Sequence, residues 1–112
     1  MKIKTIAHGG PVKSKKLLRS AMSIAIHYTR KRLGLGQVQV SKLTGMSQSH
    51  ISKVESDNLT LDAPSWLVFC DVTNLDPNVV FLSEAEMLKA IDGSAKLKAI
   101  QVPVKGTEKI AA

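Results

Sequence analysis

The sequence predicts an all-α domain of five or six short helices, and three observations carry that prediction. Apolar residues recur at helical spacing in most segments between Lys15 and Ile91. Ser14, Ser47, Pro64, Pro77 and Ser83 are residues that open helices, and Gly34, Gly45 and Gly93 are residues that close them. With 112 residues and 4% aromatics, the chain has room for one modest core built from Leu, Ile, Val, Met and Ala.

The first 16 residues read as a basic arm broken at Gly9-Gly10-Pro11, with Met1, Ile3 and Thr5 alternating against Lys2 and Lys4 as in a short strand. Two readings fit its Lys13, Lys15 and Lys16 equally: phosphate contact and plain solubilisation. A helix capped by Ser14 follows at about 15–33, with Leu18, Met22, Ala25 and Thr29 on one line and Leu17, Ala21, Ile24 and Tyr28 on the next. Gly34 ends it, with Arg30, Lys31 and Arg32 beside its negative C-terminal dipole. The second helix spans about 37–44, with Val40, Ser41 and Leu43 or Thr44 inward. The third spans about 47–56, capped by Ser47, with Ile51 and Val54 apolar and Gln48, Ser49, Ser52 and Lys53 polar. Asp57-Asn58 marks a turn.

Pro64 favours a fourth helix carrying Trp66, Leu67, Phe69, Cys70 and Val72 to about Asn74. Asp76-Pro77 opens a short one through Leu82. Ser83 and Glu86 form a capping box before Met87, Leu88 and Ile91, and Gly93 stops that helix. The core domain is therefore expected at 17–93. Residues 94–112 form a tail in which Leu97, Ile100, Val102 and Val104 could make a short strand, which Pro103 confines to an edge.

Charge divides the chain. Residues 1–54 hold eleven Lys or Arg and no acid, whereas residues 55–93 hold eight acids and one Lys. One basic face toward a polyanion, with an acidic half turned away, fits that polarity. Cys70 is the sole cysteine, so an internal disulfide is impossible, and its apolar neighbours suit a packing thiol. No run is long enough to span a membrane and no signal-peptide core is seen, so a cytoplasmic protein without a membrane partner is expected.

Several of these residues recur together at fixed spacing. Arg30, the Gly34-Leu35-x-Gln37 turn, Ser41, Gly45, Ser47-Gln48, Ile51 and Glu55 stand as in a helix-turn-helix, with Gln48 eleven positions after Gln37 and Glu55 twenty-five after Arg30. On these residues, 30–55 resembles the lambdoid-repressor and Cro-like (XRE) family of DNA-binding regulators. The resemblance implies a five- to six-helix lambda-repressor-like domain whose third helix enters the major groove of double-stranded DNA. It implies that Gln37 touches a phosphate or braces Gln48, that Ser47 caps the reading helix and reaches the backbone, and that Gln48, Ser49 and Lys53 read bases. Arg30 and Glu55 would form a structural ion pair. The residue chemistry agrees: Gln pairs bidentately with adenine, and Lys suits guanine or phosphate. His50 lies beside them and could contact either backbone or base. Phosphate contacts would be drawn from Lys13, Lys15, Lys16, Arg19, Arg30, Lys31, Arg32 and Lys42. Gly36, Val40 and Thr44 depart from the family's usual residues, and so does the segment after Glu55.

An enzyme is not expected. His8, His27, His50 and Cys70 lack metal-ligand spacing, Glu84 and Glu86 fall in the capping box, and no cofactor motif is present. The expected function is a sequence-specific regulator, chiefly a repressor, binding a palindromic operator as a homodimer through about 75–104. The alternative is an antitoxin, or a bridging module of the same fold, whose partner is a toxin or another protein.

Overall fold

Ser14 starts the first helix by accepting the Leu17 N–H on its hydroxyl, at 3.2 Å. In the computed structural model, which describes residues 13–98, five α-helices and one 3-10 turn follow in order. They are α1 (Lys15–Arg32), α2 (Gln37–Thr44), α3 (Gln48–Glu55), α4 (Ala63–Thr73), the 3-10 turn (Pro77–Phe81) and α5 (Glu84–Ser94). No strand occurs among the described residues. The strand patterns expected in the first five residues and at Ile100, Val102 and Val104 lie outside them, and Leu97 is in an irregular segment.

Local chemistry sets each boundary. Gly34, at φ +71°, sends its N–H to Lys31 O, and Leu35 N–H goes to Arg30 O, so the end of α1 satisfies its own carbonyls. Gly45, at φ +81°, turns the chain between α2 and α3 and donates to Ser41 O at 2.9 Å. The Ser41 hydroxyl crosses that turn to Met46 O at 2.6 Å, which explains why a small hydroxyl residue suits the slot. Gly36 has no side chain to cap α2, but its N–H is taken by Gln39 Oε1 at 2.6 Å. Half of a capping box thus compensates for the missing Ser or Thr.

Helix α1 is the central strut, packed against α3 on one side and against α5 and the 3-10 turn on another, while α2 bridges α3 and α4. Phe69, Ile26, Ile51, Met87, Ile91, Val40 and Val54 are the large side chains almost wholly buried where these meet. Trp66 stacks near Phe69, with centroids 6.1 Å apart, and donates its indole N–H to Pro77 O at 3.0 Å. Cys70 is buried here, and that burial, then the Asp76 carboxylate, pushes its thiol up to about 12. Such a thiol stays protonated and packs as an apolar group.

Four expectations change. Gly93 does not stop the last helix, which continues through it to Ser94 and is capped by Ala95 in an extended conformation. Ser83 does cap α5, accepting the Glu86 N–H at 3.3 Å, but the Glu86 carboxylate meets the Ser83 hydroxyl. Val79 and Val80 are 5% and 3% exposed, so they belong to the core and cannot form a dimer surface. Along α1, Leu17 is 56% exposed although it lies on an expected inward line, while Ile26, off both lines, is buried between the partners of α1. Beyond α5, Lys96 and Lys98 donate their N–H groups to Thr73 O and Val72 O, completing the carbonyls at the end of α4.

Candidate nucleic-acid interface

Helix α3 is two turns long, and its sequence gives it two faces. Ile51 and Val54 are each 1% exposed and fix it to the core. Gln48, Ser49, Ser52 and Lys53 form one exposed row on the opposite side. Ser47 accepts the His50 N–H at 3.1 Å and so caps the exposed end, leaving its own hydroxyl at the surface. At eight residues the helix is about 12 Å long, comparable with the width of a B-DNA major groove.

Gln48 is held from the neighbouring helix. Its Nε2 donates to Gln37 Oε1 at 2.9 Å, and Gln37 Nε2 donates in turn to Glu55 Oε1 at 3.3 Å. The Glu55 carboxylate is the hub. Arg30 grips it in a fork, Nε to Oε2 at 2.7 Å and Nη2 to Oε1 at 2.8 Å, while Arg30 Nη1 donates to Leu35 O at 2.9 Å. His27 Nδ1 lies 2.8 Å from Oε1 as well. Burial by itself would raise the Glu55 carboxyl. Hydrogen bonds from Arg30, His27 and Gln37, with the Arg30 charge, outweigh it and hold the group below its ordinary range. Three helices thus meet on one carboxylate, and the chain of bonds ends at Gln48.

The cations sort into two kinds. Lys13 Nζ donates to Val80 O and Leu82 O, both at 2.7 Å, and burial lowers its pKa. Arg19 Nε bonds Asp57 Oδ1 at 3.1 Å, beside Ser20 Oγ on Asp57 Oδ2 at 2.9 Å. Arg32 Nε is 3.2 Å from Asp92 Oδ1. These three are committed within the domain, although charge alone marked them for phosphate. Lys15, Lys16, Lys31, Lys42 and Lys53 are exposed. His50 is half-buried, and its Nε2 is covered and without a hydrogen-bond partner among the described residues, which does not suit a base contact from that atom.

Residues 26–78 match a protein-family model described as Helix-turn-helix. Over that segment, 53 of the 112 residues, the chain is similar to the helix-turn-helix family of XRE, lambda repressor-like proteins. A search of curated proteins found no match. The family is one of DNA-binding transcription regulators rather than of enzymes, and Gln48, Ser49 and Lys53 fall within the matched segment. Among the described residues, no helix is long and apolar enough to cross a membrane. The match starts inside α1 and stops inside the 3-10 turn, so the Lys13 tether and α5 lie beyond it.

Two residues at the site escaped the sequence reading. In the sequence His27 offers itself only as a metal ligand, because a bond to a residue twenty-eight positions away leaves no local trace. Gln39 is the other, and a Gln three residues after a helix cap is the local signal that marks it.

Proposed function

We propose that this protein is a sequence-specific transcriptional repressor that binds a near-palindromic operator as a homodimer, with α3 of each subunit in the major groove. The observation that carries the reading is the exposed row Gln48, Ser49, Ser52 and Lys53, whose leading glutamine is braced by Gln37. A bond from one Gln48 N–H to Gln37 leaves the other N–H and the carbonyl free for adenine N7 and N6, the bidentate pairing. Ser49 and Lys53 extend the contact to neighbouring bases, and Ser47 and Gln37 serve the adjoining phosphates. Lys42, Lys15, Lys16 and Lys31 supply further cations for the backbone.

Pairing of two subunits is part of the proposal because one two-turn helix reads few base pairs. With Val79 and Val80 inside the core, the pairing region is narrowed to the rest of the C-terminal part, where Leu97 is 44% exposed. Selection of duplexes from a random pool tests the whole reading: two related half-sites about 10 base pairs apart are expected. Recovery of no preferred sequence would overturn specific binding. Light scattering should give a dimer at the concentrations that bind, and a monomer there would remove the pairing.

A further inference from the structure

We infer that His27 is a phosphate-binding residue whose contact with the DNA backbone is switched on by protonation. The inference rests on the proposed DNA reading and adds to it a ligand group, a phosphodiester oxygen, for a side chain outside the reading helix. His27 Nδ1 is 2.8 Å from Glu55 Oε1, an atom that can only accept, so Nδ1 carries the proton and donates. That fixes the tautomer of the neutral ring, and Nε2 is left as a bare lone pair.

The ring stands at the rim of the Glu55 cluster. Its side chain is 54% exposed, against 11% for Arg30 and 6% for Glu55, so it is the outermost member of the cluster. The oxygen it bonds also accepts from Gln37, which holds Gln48. His27 is therefore mounted on the same carboxylate as the residues proposed to meet DNA.

Charge decides what a proton does there. The charged groups bonded to or beside the ring are Glu55 from α3 and Arg30 from its own helix, with Arg30 Nη2 at 3.4 Å from Nδ1, and exposed Lys31 stands one turn further along α1. Gln37 from α2 is neutral. Asp57, after α3, is held by Arg19 and Ser20, and Asp92 on α5 by Arg32 and Tyr28. Glu55 is already balanced by Arg30, so a proton on Nε2 adds a net positive charge to the rim. It also converts a lone pair that repels phosphate oxygen into a cationic donor.

The test measures the affinity of the full chain for a mixed-sequence duplex over a series of salt concentrations. It is run at about pH 5.5 and about pH 8. The unmutated chain should bind about tenfold more tightly per subunit at the lower pH, the effect of one charged hydrogen bond. Its plot of log affinity against log salt should be steeper there by about 0.9 per subunit. His27→Gln should lose that difference, and His27→Lys should show the steep slope at both values. A His27→Gln chain that keeps the full pH dependence overturns the inference, as does an unmutated chain that binds equally at both. If the unmutated chain binds no duplex under any condition, the DNA reading fails and takes this inference with it. Melting curves for both variants ensure that a lost contact is not a lost fold.

Discussion

At the scale of single residues, Gln48 and Glu55 do different work although a chain of two hydrogen bonds joins them. Gln48 is exposed and is the residue proposed to read bases, so Gln48→Ala should leave the melting temperature nearly unchanged. It should remove discrimination worth about 1–3 kcal/mol at one base pair of the selected site. An unaltered preference in a repeated duplex selection would show that another residue reads that position. Glu55 is 6% exposed and holds three helices together. Glu55→Gln should cost about 3 kcal/mol at neutral pH, the low end for breaking a buried pair, because Arg30 reaches the surface. The sign of the pH dependence follows from the depressed carboxyl. Its stabilisation is complete above the unfolded-state value near 4.5 and is lost as the pH falls through the lower folded-state value. Denaturant melts of the two proteins should therefore converge in acid. A gap that stays constant down to about pH 3, below the ordinary carboxylate range, would mean that Glu55 is not the hub.

At the scale of elements, the turns fix the angle between α2 and α3, and conformation matters more than space. An added Cβ on Gly45 would meet nothing within 4 Å, yet its φ of +81° disfavours any side chain. Gly45→Ala should thus lower stability by about 1–2 kcal/mol without a clash, measured as a shift in denaturant midpoint; a neutral result would show that the turn relaxes. Asp57 tolerates the same region, at φ +65°, because its carboxylate is bonded to Arg19 and Ser20 on α1. The contrast explains what the sequence disclosed. Caps, glycine turns and Pro starts are local, and so α1, α2 and α4 fall close to their expected limits. The pair Arg30–Glu55 was legible through the family spacing. What could not be read was tertiary: Gly93 stays helical because the next residues run onward to cap α4, and Val79 and Val80 turn inward in a segment too short for periodicity to orient. Ile26 is covered because α1 has partners on more than one side.

At the scale of the whole molecule, the acid-free first half is not one uniform phosphate-binding surface. Four of its cations, Lys13 just before α1 and Arg19, Arg30 and Arg32 on it, close contacts with later parts of the chain. They let an acidic half pack against a basic one, and their charge is spent doing so. Lys42, on the helix that carries Gln37, is exposed and remains available for a polyanion. Counting charges cannot separate these two groups, but salt can. Neutralising a lysine that displaces a counterion flattens the plot of log affinity against log salt by about 0.9 per contact. Lys42→Gln is expected to do this with little change in stability. Lys13→Gln is expected to leave the slope alone and to lower the unfolding free energy by about 1.5 kcal/mol, since two carbonyls lose a charged donor. Slopes and melts measured on both variants therefore give opposite patterns if the division holds. A flattened slope for Lys13→Gln would return that residue, and the start of α1 with it, to the DNA-binding face.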